Sequence, residues 1–389
     1  MAQSKWIIFF GEDWGRHAST GQYLAAELAK HYRILWVNSL GLRTPSITWS
    51  DIGRIFVKCF QFMASQANLK GFAHTSPPKN IYVAYPLAIP LLQFKLVRKI
   101  NQFLVRRYLK TKMKHLSIVN SIVITASVAA VDVIDTLNTS KKVYYCADEY
   151  STMPGMNKDL IQSLEQQLIS KVDLVVTTSL NLQKSKARLH NDVRYLPHGV
   201  DFDKFAGSFS NKTHMPEDLV TTNQKLIGFV GLLGEHIDFE LISYVAQNIP
   251  DSTLVLIGPL EQGQEIPNQS NIVYLGPKPF SLIPNYLRHF DACIIPYVVN
   301  SPRIQYANPT KLREYLAAGC PVVSVPQPEA LVLADYVEFA TDKEQFVAHL
   351  KDIFKNGGKL SREELSEAMR NHTWSARATA LENMIDSIC

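Results

Sequence analysis

The chain has 389 residues, room for two or three domains each able to bury its own core. Hydrophobic residues make up 46% and charged residues 19%, which excludes a disordered chain, a collagen-like fibre and a disulfide scaffold. The net charge of +5 is mild, so its meaning depends on where the excess sits.

The start, MAQSKWIIFFGED, carries no secretory apolar region and reads as a first strand; the expected compartment is the cytoplasm. No charge-free apolar stretch reaches the roughly 18 residues of a spanning helix. Cys59, Cys146, Cys293, Cys320 and Cys389 are widely spaced with no CxxC pair, so reduced thiols are expected.

Apolar runs at Trp6–Phe10, Ile34–Val37, Ile81–Ala84, Ile122–Thr125, Lys142–Cys146, Leu174–Thr177 and Val193–Leu196 have the length of buried parallel strands. Helical patterns lie between them at Thr20–Lys30, Leu91–Lys114, Val128–Leu137, Asn157–Lys171 and Leu182–Leu189. Residues 206–224 are polar and aperiodic, a linker. A second series follows, with strands at Leu226–Val230, Thr253–Ile257, Ile272–Leu275, Ala292–Pro296 and Val322–Val325. The expected fold is α/β: two Rossmann-like domains, residues 1–205 and 225–372, facing across a cleft. A helix within 373–389 returns to the first domain.

The segment NPTKLREYLAAGCPVVS, 308–324, carries the most chemistry. Asn308 suits an N-cap, Pro309 the first helical position and Gly319 the left-handed stop. The amides of Thr310 and Lys311, with the positive end of the helix dipole, make an anion site. Lys311 and Glu314 share one helix face. Together they suit a nucleoside diphosphate: Lys311 and the amides on pyrophosphate, Glu314 on ribose hydroxyls. The plainer alternative is a capped helix with a surface ion pair.

This segment resembles the donor helix of GT-B glycosyltransferases, in particular the bacterial polysaccharide-type members of the glycosyl transferase family 1 grouping. PHGVDFDKF (197–205), GFVGLLGEHIDFELI (228–242), VLIGP (255–259) and YLGPKPF (274–280) resemble further family segments. The resemblance implies a sugar transferred from a nucleoside-diphosphate-sugar to a lipid-linked or polysaccharide acceptor in surface glycan synthesis. The first domain would bind the acceptor and the second the donor. No metal and no cofactor beyond that co-substrate are expected. Two departures stand out. Retaining members carry a second glutamate upstream, where this chain has Tyr306, and an Arg and a Lys in the loop that reads GLLGEHID here. The diphosphate clamp then falls to Arg303, Lys311 and helix amides. A nucleotide-sugar epimerase of the same fold and a non-catalytic GT-B-like partner protein are the alternatives.

Gly231 and Gly234 permit close backbone approach to a donor. Glu235 either contacts that donor or is an exposed loop residue, and Asp238 reads as an N-cap. In GEDWGRHASTGQ (11–22), Gly11 belongs to a turn after the first strand; Asp13, Arg16 and His17 are candidates for acceptor or phosphate contact. Asp148 and Glu149 end a buried strand and are candidates for the general base, or else a cap or salt bridge. His198, at the domain junction, is a cleft contact or a structural turn histidine. Asp201 and Asp203 form a DxD string read as structural.

Between Lys95 and His115 stand Lys95, Arg98, Lys99, Arg106, Arg107, Lys110, Lys112 and Lys114, with no acid. Phe94, Leu96, Ile100, Phe103, Leu104 and Tyr108 add an apolar face. Such a helix either lies on an anionic membrane or packs its apolar side inward. Nucleic acid is not an expected partner, because no recognition module is present.

Overall fold

A computed structural model describes residues 5–16, 19–42, 76–153, 155–207, 215–219 and 224–388. Cys59, Cys389, His17 and much of the 206–224 linker lie outside the described residues. The chain divides into two units: Met1–Thr178, Leu182–Leu196 and Ala378–Cys389 form the first, and Ser179–Asn181 with Pro197–Arg377 the second.

The first unit is built on a seven-stranded parallel sheet of order β3-β2-β1-β4-β5-β6-β7. Its strands are β1 (Trp6–Phe10), β2 (Arg33–Val37), β3 (Ile81–Ala84), β4 (Ser121–Thr125), β5 (Thr139–Cys146), β6 (Leu174–Thr177) and β7 (Val193–Tyr195). β1 and β4 are buried throughout, as continuous apolar runs covered on both faces must be. The crossovers use helices α1 (Thr20–Leu28), α2 (Lys95–His115), α3 (Lys158–Ile169) and α4 (Leu180–Lys186). Ser19 caps α1 and Asn157 caps α3 by accepting from an amide three residues on.

The second unit repeats the plan with six parallel strands, order β10-β9-β8-β11-β12-β13. These are β8 (Lys225–Val230), β9 (Ser252–Ile257), β10 (Ile272–Gly276), β11 (Ala292–Ile295), β12 (Val322–Ser324) and β13 (Val337–Phe339). Its helices are α5 (Phe202–Ala206), α6 (Phe239–Asn248), α7 (Ile283–His289), α8 (Pro302–Tyr306), α9 (Thr310–Ala317), α10 (Lys343–Asn356) and α11 (Arg362–Ala368). A final helix, α12 (Trp374–Asp386), supplies Ala378, Leu381 and Ile385 to the core of the first unit. Lys141 fixes its end by donating to the carbonyls of Ile385 at 2.8 Å and Ile388 at 3.0 Å.

One reading of the sequence needs correction. Val128–Leu137 is not an α-helix but two 3-10 turns, Val128–Asp132 and Ile134–Thr136. Side chains of other elements take their carbonyls: Lys171 donates to Val131 O and Gln102 to Asp132 O. In α2, the Arg98 side chain is committed to an ion pair. Its guanidinium grips Asp132 at 2.7 and 2.6 Å and reaches Gln167 at 3.1 Å. The buried face of α2 is Asn101, Val105 and Leu109. Among the described residues, no helix is long and apolar enough to cross a membrane.

Candidate functional site

In the second unit, chemistry gathers at the start of α9. Pro309, not Asn308, occupies the N-cap, and the helix begins at Thr310. The reason is a buried guanidinium that needs an acceptor. Arg313 donates to Asn308 Oδ1 at 2.7 Å, and Asn308 Nδ2 donates to Glu329 Oε2 at 3.4 Å. Asn308 is thus buried bracing for the helix rather than a donor contact. Gly319 supplies the expected left-handed stop at φ +65°.

Lys311 projects from the first turn. Its ammonium lies 4.2 Å from the centroid of Phe229 and 5.3 Å from that of Tyr297, two cation–π contacts. It also rests against Gly231, whose φ is +149°; a β-carbon there would overlap the Lys311 Nζ. Burial lowers its pKa to about 7, with Glu314 opposing that fall and Arg303 adding to it. Glu314, one turn on, is raised by burial to about 7 against the pull of Lys311 and Lys204. Arg303 sits on α8, before α9. Burial thus works against the charged form of both groups, while the charge of each favours the charged form of the other.

The loop after β8 has no Arg or Lys but carries His236. His236 is buried, packs on Tyr297 with ring centroids 5.5 Å apart, and has no partner for Nδ1 among the described residues. Burial, then the charges of Lys311 and Arg303, lower its pKa to about 4, so it is neutral at pH 7. Val298 N donates to His236 O at 3.0 Å and pins the loop. The available signal was a histidine at the carboxyl end of a Rossmann strand. Glu235, its neighbour, is exposed, and its amide donates to Glu261 at 3.4 Å. Asp238 caps α6 by accepting from Leu241 N at 2.8 Å. Tyr297 also lines a groove of about 870 Å³ beside α6 and α10 that includes neither Lys311 nor Glu314.

In the first unit, Gly11, Glu12, Trp36, Ser127, Tyr145 and Tyr150 line a cavity of about 140 Å³. It lies at the carboxyl ends of β1, β2, β4 and β5, where strand order reverses between β1 and β4, the usual ligand position in such sheets. A β-carbon on Gly11 would overlap the Trp36 ring, which is stacked on Phe9 at 4.8 Å and donates its N–H to Glu12 O at 2.9 Å. Asp13 holds the loop by accepting from Ser39 N at 3.3 Å. Arg16 is exposed.

The carboxylates after β5 separate. Glu149 is not placed as a general base. Lys186 Nζ lies 2.8 Å from Glu149 and 2.7 Å from Glu165, and Ser151 donates to Glu149 at 2.7 Å. Burial works to raise the Glu149 pKa, but Lys186 and Ser151 outweigh it and hold the carboxylate below its usual range. Asp148 keeps part of its surface open to solvent. His198 is withdrawn from solvent, with its ring 6.0 Å from Trp374. Burial and the nearby Arg313 and Arg377 push its pKa down to about 3. Asp201 caps α5 and pairs with Lys204 at 3.2 Å.

Solved structures match nearly the whole chain. Sucrose-phosphate synthase from Thermosynechococcus elongatus aligns over 98% of each chain, with TM-score 0.67 and 12% identity. HepE of Anabaena, in complex with UDP and glucose, aligns over 98% of this chain and all of that one, with TM-score 0.65 and 13% identity. The chain has the GT-B fold. An E. coli structure titled "Trehalose-6-phosphate … bound with UDP-2-fluoro glucose" matches 99% of this chain and 100% of that one at TM-score 0.64 and 12% identity. In sequence, the chain is 25% identical over 256 residues to "Putative teichuronic acid biosynthesis glycosyltransferase TuaH" of Bacillus subtilis. That match takes in 60% of this chain and 64% of the relative, so it spans less than two thirds of TuaH. No protein-family model matches.

Proposed function

We propose that this protein is a glycosyltransferase that moves a sugar from a nucleoside-diphosphate-sugar to a saccharide or lipid-linked acceptor in surface glycan assembly. The observation that carries the reading is the group formed by Lys311, Glu314, His236 and Arg303 around the start of α9. Lys311 and the first helix amides hold the diphosphate and stabilise it as it leaves. Glu314 accepts from ribose hydroxyls. UDP in the HepE structure and the name borne by TuaH support transfer over epimerisation.

The acceptor belongs in the first unit, at the aromatic-walled cavity. A sugar ring would stack on Tyr150, which is only partly buried, while Glu12 or Asp148 receives the hydroxyl proton. The basic stretch 95–115 would hold the enzyme at the inner face of the plasma membrane.

Calorimetric titration with UDP and other nucleoside diphosphates tests the donor site, followed by labelled-sugar transfer onto lipid extracts. Lys311→Ala and Glu314→Ala should each weaken nucleotide binding. If neither changes affinity or turnover, the site is wrong. Tight binding with no turnover on any acceptor would leave a nucleotide-binding partner protein.

A further inference from the structure

Helix α2 buries Asn101, Val105 and Leu109 and turns larger apolar side chains outward. Leu96 is 72% exposed, Phe103 62%, Phe94 52% and Ile100 40%. Leu96, Ile100 and Phe103 are spaced i, i+4, i+7, so they form one stripe on the solvent side. Along that side the helix continues as exposed Arg106, Arg107, Lys110 and Lys114, and exposed Lys95 and Lys99 flank the stripe at its start. One outward face is therefore apolar over its first half and cationic over its second. A run of large exposed apolar side chains marks an interaction surface.

We propose that this face docks on an anionic lipid bilayer and inserts Leu96, Ile100 and Phe103 beneath the headgroups. The inference rests on the peripheral membrane reading and deepens it: attachment is not by charge alone. Lys99, Arg106, Arg107 and Lys110 meet anionic headgroups, while the stripe meets acyl chains, the division of labour of an interfacial helix. Arg98 takes no part, because Asp132 holds it. Charge complementarity selects the occupant. Cations flank the stripe and no acid lies between Lys95 and His115, so a second copy would set like charges against each other.

The test uses the full chain with phosphatidylcholine vesicles, with and without phosphatidylglycerol, in flotation at low and high salt. Wild type should bind the mixed vesicles and retain a salt-resistant fraction. Joint replacement Leu96→Ser, Ile100→Ser and Phe103→Ser should lower the partition coefficient on the order of a hundredfold, with unchanged thermal melting. Lys99→Gln, Arg106→Gln, Arg107→Gln and Lys110→Gln together should remove the preference for anionic lipid. Tryptophan placed by Phe103→Trp should be quenched by brominated acyl chains. Binding fully reversed by salt, with the serine variant indistinguishable from wild type, would overturn insertion and leave the peripheral reading standing. Absence of binding to any vesicle would overturn both. A dimer in sedimentation velocity that the serine variant abolishes would assign the face to a second copy and overturn the proposal.

Discussion

The Lys311 ammonium packs so closely on Gly231 that a β-carbon on residue 231 would overlap it. The backbone there also has φ +149°, which side-chain-bearing residues rarely adopt. Gly231→Ala should therefore displace the ammonium as well as strain the loop. Nucleotide affinity should fall by about tenfold or more, read by calorimetry, with a lowered melting temperature. Wild-type affinity in this variant would separate Lys311 from the donor.

Under the proposed function, the ionisation of Lys311 should make nucleoside-diphosphate binding pH-dependent. With its pKa near 7, free protein has lost most of that charge by pH 8. A bound diphosphate restores the charged form, so binding should take up protons. Affinity should fall by up to about tenfold per pH unit above 7. Titration in buffers of different ionisation enthalpy measures the uptake, and Lys311→Met should abolish it.

Lys311 and Glu314 should together shape stability. Between pH 4.5 and about 7 the folded chain holds a proton on Glu314 that the unfolded chain has released, so stability from this group falls as pH rises. Between about 7 and 10.5 the unfolded chain holds the proton on Lys311, so stability rises with pH. Their joint contribution passes through a minimum near pH 7. Denaturant unfolding across that range should show the dip, and Lys311→Met combined with Glu314→Gln should flatten it.

Lys186→Met should destabilise the first unit by about 3–5 kcal/mol, because it strands Glu149 and Glu165 inside the protein. Glu149→Gln should act in the same direction, more mildly. Its carboxylate is held below the ordinary 4.5, so the stability it contributes is present above that pH and is lost as pH falls through the lowered value. Thermal melting of both variants, alongside unchanged UDP binding, checks a structural role.

The fold was legible because its signals are local. WIIFF and SIVIT are continuous apolar runs, and such runs in a crossover protein are buried parallel strands. β13 escaped because Val337–Phe339 has three residues and only Val337 is fully buried. Lys311 and Glu314 were readable for the same local reason, lying three apart on one helix. The pairing of Glu149 with Lys186 was not, since it joins residues 37 positions apart through the packing of two elements. His236 depended on the path of a loop, which periodicity does not describe. The outward stripe of α2 posed the hardest question: its apolar positions were plain, but sequence alone did not say which face the sheet would cover.

The first unit takes Ala378, Leu381 and Ile385 into its core, residues encoded after the entire second unit. On the ribosome, that core stays incomplete while Pro197–Arg377 is synthesised and emerges. The usual order, in which an early domain finishes before a later one begins, does not hold here. The second unit is the one able to mature first, and the amino-terminal sheet waits, with an uncovered apolar patch, for a helix still to be translated. A chain released early near residue 377 would expose that patch and become a substrate for chaperones and proteases.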